Sequence, residues 1–131
     1  MIDTAEHRIL ILQEQPDLGR IWARHLERMG ATVELVGSSA QAMTRIEQAP
    51  FDALIVDLLH SDGQGLSVAD LAAFRQPDLS VIFVTSSTFF ADGSIFGHAQ
   101  NARAILRTTT PPEDLAEIVM HYGQGRAVRP A

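Results

Sequence analysis

The sequence lacks two residue types that many active sites need, cysteine and lysine. It contains no cysteine, and all ten of its basic residues are arginine. The absence of cysteine excludes disulfides, thiolate metal sites and thiol catalysis. The absence of lysine excludes Schiff-base chemistry and the lysine of a P-loop phosphate site. Any phosphate chemistry in this chain must therefore use other groups.

An excess of positive charge and long hydrophobic runs are also missing. The net charge is −6 with a pI near 5.2, so we expect no nucleic acid partner. No apolar run reaches membrane-spanning length, and the start MIDTAEHRIL lacks the layout of a signal peptide. We therefore expect a cytoplasmic protein without a membrane contact. Its 131 residues, 46% hydrophobic and 20% charged, suit one globular domain.

Five short apolar segments predict β-strands. Three of them are apolar nearly throughout, which is typical of strands that are covered on both faces. The five predicted strands cover residues 9–12, 33–36, 53–56, 81–85 and 104–106.

Helical patterns fill the intervals between these strands. Pro16 suits the first turn of the first helix, which should end at Gly30. Ser38 and Gln41 have the spacing of a capping box at the start of the second helix. A third helix is predicted over residues 66–74.

The last two predicted helices differ in strength. In the fourth crossover, residues 86–103, two glycines interrupt the pattern, so any helix is short or irregular, over about residues 94–101. Thr110 and Glu113 predict a second capping box, with Pro111 as the first helical residue.

Alternation of strands and helices predicts an α/β fold with a parallel sheet and helices on both faces. We expect one domain over residues 1–123, followed by a tail or linker over residues 124–131. In such sheets, functional sites lie at the carboxyl ends of the strands. The site should therefore be sought there.

Asp57 is the most informative residue at that edge. It follows the apolar run 53–56, and an ionised carboxylate is costly to bury in apolar surroundings. An acid that caps the following loop is one explanation. However, Gln13, Glu14 and Thr85 also end or follow predicted strands, so all four side chains should converge. Two carboxylates beside a hydroxyl suggest a site for Mg²⁺, which prefers oxygen ligands.

From Arg8 to about Tyr122 the chain resembles a response-regulator receiver domain. The resemblance rests on the run LIVD, the strand end VIFVT and the segment HSDGQGLSVA, in that order. It implies a flavodoxin-like doubly wound sheet of order 2-1-3-4-5 with five helices. It also implies that Asp57 accepts a phosphoryl group from a histidine kinase, and that Thr85 helps to bind that group.

The resemblance further implies a metal site and partners. Glu14, Asp57 and the main-chain carbonyl of Leu59 would bind Mg²⁺, with Gln13 contributing through a water molecule. Because Gln13 stands where the family has an acid, we expect weaker metal binding. Two copies could also pair as a homodimer through the fourth and fifth helices and the fifth strand. His60, next to the site, is expected to be an exposed loop histidine.

The main departure from the family is at the fifth strand. Thr108 stands in the position of the phosphate-sensing lysine, and Ile105 in that of the switch aromatic. Arg107 is adjacent, but alternation along a strand should point it away. A charge-assisted hydrogen bond contributes roughly 1.5–3 kcal/mol, whereas a full two-state switch needs about 5.5 kcal/mol. A phosphoryl group on Asp57 should therefore drive the switch poorly.

Three functions remain open at this point. The first is an atypical receiver that signals mainly through protein–protein interaction, with weak or uncoupled phosphorylation and no enzymatic activity. The second is an ordinary response regulator that is phosphorylated on Asp57, with Arg107 or a partner residue replacing the lysine. The third is a magnesium-dependent phosphatase of similar fold; those enzymes commonly have a second acid where this chain has Leu59.

Overall fold

The computed structural model describes residues 7–86 and 101–127, with side chains up to residue 123. The described residues form five strands and four helices. In chain order they are β1 (Arg8–Leu12), α1 (Pro16–Arg28), β2 (Thr32–Val36), α2 (Ser39–Gln48), β3 (Ala53–Asp57), α3 (Gly65–Arg75), β4 (Ser80–Thr85), β5 (Ala102–Arg107) and α4 (Pro112–Ala127).

The strands form one parallel sheet in the order β2-β1-β3-β4-β5. This order confirms the predicted doubly wound sheet. The described residues contain four helices, against five predicted for the chain. The short fourth helix, predicted over about residues 94–101, falls almost wholly among residues 87–100, which lie outside the described residues.

Two apolar cores lie on the two faces of the sheet. On one face, α2 and α3 cover the alternate residues Leu10, Leu54 and Phe83. On the other face, α1 and α4 cover the intervening set, which includes Ile55 and Val84. Strands β3 and β4 are buried at every position, as the uninterrupted apolar runs predicted.

Proline sets the start of the last helix. The helix begins at Pro112, not at Pro111 as the sequence predicted. The ring of Pro112 disfavours helical backbone at the preceding residue, so Pro111 stays outside the helix and Pro112 takes its first position. The predicted pairing of Thr110 with Glu113 is thereby one residue out of register. At its other end, α4 runs to Ala127, beyond residue 123, where we predicted the domain boundary.

None of the helices within residues 7–86 and 101–127 is long and apolar enough to cross a lipid bilayer.

The capping box of α2 gives a direct test of the local folding signals. The Ser38 side chain accepts a hydrogen bond from the Gln41 N–H, and the Gln41 side chain accepts one from the Ser38 N–H, as predicted. We expect Ser38→Ala to lower the free energy of unfolding by about 1 kcal/mol, because one orphan donor loses its partner. Urea unfolding followed by circular dichroism measures this.

The exposed Ser67 on α3 offers a matched control. Ser67→Ala should change the free energy of unfolding by less than about 0.5 kcal/mol. Equal effects of the two substitutions would contradict the role of the cap.

Candidate functional site

The carboxyl ends of four strands bring the predicted site residues to one edge of the sheet. Gln13 directly follows β1, Asp57 ends β3, Thr85 ends β4, and Thr108 directly follows β5. Parallel pairing of these strands makes their ends neighbours. The edge therefore holds an acid, an amide and two hydroxyl groups.

Both carboxylate oxygens of Asp57 accept hydrogen bonds. The Leu59 N–H donates to Oδ1 at 2.9 Å, and the Gln13 side-chain amide donates to Oδ2 at 3.1 Å. Asp57 is buried, with only 8% of its surface exposed. These two donors replace lost hydration, so a carboxylate can be kept at the end of an apolar strand.

Gln13 has little freedom in this arrangement. It is 2% exposed, and its side-chain oxygen accepts a hydrogen bond from the Gln15 N–H at 3.0 Å. Only the amide nitrogen can donate to Asp57, so these two contacts fix the orientation of the amide group. The NH₂ group faces the acid, and the oxygen faces the start of α1.

Glu14 is exposed and is directed at the loop that follows β3. Its two oxygens accept hydrogen bonds from Ser61, at 2.5 Å from the hydroxyl and 3.0 Å from the N–H. The Ser61 hydroxyl, more than any other group, holds the pKa of Glu14 below its usual 4.5. Glu14 is therefore ionised and oriented toward Ser61.

The β4–β5 register decides which side chain of β5 faces Asp57. Asp57 pairs with Val84, and Val84 pairs with Leu106, so these residues share the face covered by α1 and α4. The Thr108 N–H donates to the Thr85 carbonyl, and the same alternation, continued one residue past β5, would put the Thr108 side chain on that face. Thr85 pairs with Arg107, and both lie on the opposite face.

Arg107 is exposed and makes no ion pair with any residue that the structure describes. Thr85, in contrast, is fully buried. The register agrees with the expectation that Arg107 points away from Asp57.

His60 is buried, and the prediction of an exposed loop histidine is wrong. It is 6% exposed, and its Nε2 donates to the Gly37 carbonyl at 2.7 Å. Its Nδ1 accepts a hydrogen bond from the Asp62 N–H at 3.2 Å. The ring thus connects the β3–α3 loop to the end of β2. The sequence carried no periodic signal for this long-range contact.

Asp62 forms a second connection between the same two loops. It accepts hydrogen bonds from the Ser39 N–H and hydroxyl, both at 2.9 Å, and from the Gln64 N–H at 3.0 Å. Desolvation raises the pKa of Asp62, but the hydrogen bonds from Ser39 and Gln64 outweigh it, and the pKa lies below 3.8. The β3–α3 loop is therefore held in place from both sides of Ser61.

Gly65, the first residue of α3, lies close to the main chain of Asp57. A β-carbon at this position would lie 3.0 Å from the Asp57 carbonyl oxygen and 3.2 Å from a methyl group of Val56. A larger residue would push the start of α3 away from β3. Close approach, and not turn geometry, explains this glycine.

Oxygen atoms dominate the donors available for a cation at this edge. The carboxylates of Glu14 and Asp57 and the carbonyl of Leu59 are hard ligands of the kind that Mg²⁺ prefers. No group of three acidic or histidine side chains that could hold a metal occurs among the described residues. The donor chemistry fits Mg²⁺, but a cation would need the carbonyl and water to complete its shell.

Comparisons with known proteins find similar sequences and similar folds. A family model described as "Response regulator receiver domain" matches residues 9–119. The Brucella abortus response regulator receiver protein CpdR is 31% identical over 78 residues, which are 60% of this chain and 65% of CpdR.

Solved structures show the same fold. A CheY-like receiver domain protein from Methanospirillum hungatei superposes with a TM-score of 0.84 at 22% identity, covering 94% of this chain and 98% of that one. The Thermotoga maritima response regulator TrrA, solved in complex with Mg²⁺ and BeF, has a TM-score of 0.76 at 18% identity, with coverages of 88% and 98%.

Asp62 provides a pH-dependent test of the connected loops. We expect Asp62→Asn to lower the free energy of unfolding by about 1 kcal/mol at pH 7, because it turns an acceptor into a donor facing Ser39. A lowered folded-state pKa stabilises the fold above pH 3.8 and loses that effect as the pH falls through the folded value. The difference from wild type should therefore shrink in acid.

Urea unfolding between pH 7 and pH 3 measures this difference. Asp70→Asn, at an exposed position on α3, is the matched control and should have little effect at any pH. A constant difference across the range would show that the Asp62 charge does not stabilise the loop.

Proposed function

The chain belongs to the response regulator receiver family, and from this premise we propose that Asp57 is its phosphoacceptor and that the phosphoryl group is weakly coupled to β5. Receiver domains are signalling modules and not enzymes, so the phosphatase alternative loses its support. The matched stretch spans only 65% of the length of CpdR. What this protein does as a whole is therefore part of the proposal as well.

The observation that carries the proposal is the position of Asp57. It is the acid that ends the central strand β3, with Thr85 ending the next strand. Phosphorylation would join a carboxylate oxygen of Asp57 to the phosphorus of a phosphohistidine, while the imidazole of the kinase leaves. The hydrogen bonds from Leu59 and Gln13 support the ionised acid that this step requires.

Weak coupling is inferred from the side chains of β5. In the family, a lysine at the end of this strand contacts the phosphoryl group, and here Thr108 stands in its place. Arg107 pairs with Thr85 on the other face of the sheet, so it does not share the face of Asp57. Ile105 replaces the aromatic side chain that reports the change. Phosphorylation should therefore shift the equilibrium of β5 only partly.

Weak Mg²⁺ binding is the second part of the proposal. When bound, Mg²⁺ would neutralise charge on the incoming phosphoryl group. Glu14, Asp57 and the Leu59 carbonyl would hold it. For Gln13 to act through water, its side-chain oxygen would first have to leave the Gln15 N–H. Gln13 already donates to Asp57 and contributes no negative charge, which lowers the attraction for a cation.

The implied partners are a histidine kinase and other signalling proteins. With β5 weakly coupled, protein–protein contacts would carry most of the signal. Pairing of two copies through β5 and its neighbouring helices stays a prediction, and sedimentation at several protein concentrations measures it. An ordinary receiver is the alternative; it requires Arg107 to reach the phosphoryl group around the exposed end of β5.

Asp57→Asn tests the phosphoacceptor. With acetyl phosphate and Mg²⁺, wild-type protein should gain one phosphoryl group in intact-mass spectra, and the substituted protein none, because an amide cannot act as the nucleophile. The exposed Asp70→Asn protein is the matched control and should be phosphorylated like wild type. Equal labelling of the Asp57 variant would rule out this site.

Thr108→Lys tests the missing cation. We expect the variant to bind beryllium fluoride, with Mg²⁺ present, about tenfold more tightly, because a lysine on the Asp57 face adds a charge-assisted hydrogen bond. Amide chemical shifts in a fluoride titration measure the affinity. Thr109→Lys places the same charge one residue further along and should resemble wild type.

Arg107→Ala separates the two alternatives. Its beryllium fluoride affinity should equal that of wild type if coupling is weak, because Arg107 lies on the Thr85 face. A large loss of affinity would instead favour an ordinary receiver in which Arg107 replaces the lysine.

A further inference from the structure

We propose that Ser61 competes with Mg²⁺ for the carboxylate of Glu14, and so sets how readily the phosphorylation site takes up its metal. This inference rests on the proposed metal site and names a residue that regulates it. Ser61 would act as a positioning residue, because its side chain donates to Glu14 and makes no hydrogen bond with Asp57.

The contact between the two residues engages the whole carboxylate. Ser61 donates its hydroxyl to one oxygen of Glu14 and its N–H to the other, at 2.5 and 3.0 Å. Such two-point contacts define orientation as well as proximity. Within the described part of the chain, Glu14 has no other hydrogen-bond partner. Its direction is therefore determined by Ser61.

Binding of Mg²⁺ would place stricter geometric demands on Glu14 than its contact with Ser61 does. Mg²⁺ requires oxygen atoms at about 2.0–2.1 Å in near-octahedral geometry. If Glu14 turned toward Asp57 to bind the ion, at least one of the Ser61 donors would lose its acceptor. Because Ser61 is exposed, water can satisfy that donor. The exchange is therefore reversible and costs only part of the contact.

The loop itself should stay in place during this exchange. The two residues that flank Ser61 are held independently, His60 by the Gly37 carbonyl and Asp62 by Ser39. Movement is thus confined to the side chain of Glu14 and the hydroxyl of Ser61. A change in metal affinity on substitution of Ser61 would then report the competition itself and not a collapse of the loop.

A magnesium titration tests the proposal without any phosphodonor. We expect Ser61→Ala to bind Mg²⁺ roughly three- to fivefold more tightly, the range of an exposed charge contact, because it loses the hydroxyl donor. Amide chemical shifts of Asp57 and Leu59 in an NMR titration give the dissociation constant. Ser61→Thr keeps the hydroxyl and should match wild type, and Ser67→Ala, on the exposed face of α3, is the matched control.

A double-mutant cycle with Glu14→Gln shows whether the effect passes through Glu14. In the Glu14→Gln background, Ser61→Ala should produce no tightening, because the carboxylate for which Ser61 and Mg²⁺ compete is gone. Unchanged or weaker Mg²⁺ binding in Ser61→Ala would overturn the proposal, as would tightening that persists without Glu14. Absence of binding in both wild type and Ser61→Ala would also overturn it.

This readout is independent of phosphorylation. If Asp57 fails to accept a phosphoryl group in mass spectra, the magnesium titration still measures the competition at Glu14. If the titration fails while Asp57 is labelled, the proposed phosphoacceptor stands and only the role of Ser61 falls.

Discussion

The arrangement of this site depends on how the Asp57 carboxylate is solvated by the protein. A charge at the end of a fully buried strand is tolerable only when donors replace water. Here the donors are a main-chain N–H from Leu59 and the side-chain amide of Gln13. Gln13 is oriented in turn by the Gln15 N–H at the start of α1. The acid, the loop after β3 and the first turn of α1 therefore form one hydrogen-bonded unit.

Around this unit, several contacts hold the β3–α3 loop in place. Gly65 lets α3 start in close contact with the Asp57 carbonyl, and the side chains of His60 and Asp62 attach the loop to the end of β2 and the start of α2. Glu14 completes the set through Ser61. A loop tied at several points can present the acid and its carbonyl in a constant geometry.

The sequence predicted those parts of the fold that depend on local patterns. Apolar runs located the strands, the Ser38 capping box located α2, and strand order followed from the receiver resemblance. Contacts between distant loops could not be predicted in this way. His60 and Gly37 are separated by 23 residues, and nothing in the spacing of either shows that they meet. The exact start of α4 was also missed, because Pro111 and Pro112 both suit a first helical position and only the steric effect of the second decides between them.

One irregularity in the β4–β5 pairing determines on which face of the sheet the Arg107 side chain lies. Val81 pairs with Ala102, but Ile82 pairs with Ala104, so β5 contains one extra residue at this point. Without that shift, Thr85 would lie opposite Leu106, and alternation would turn Arg107 toward the face of Asp57. With it, Thr108 takes that place and the arginine lies beside Thr85. A single-residue slip exchanges every side chain between the faces of a strand. Whether a cation faces Asp57 is thus determined far from it, at the opposite end of β5. The composition, ten arginines and no lysine, does not show whether any arginine side chain lies on the face of Asp57.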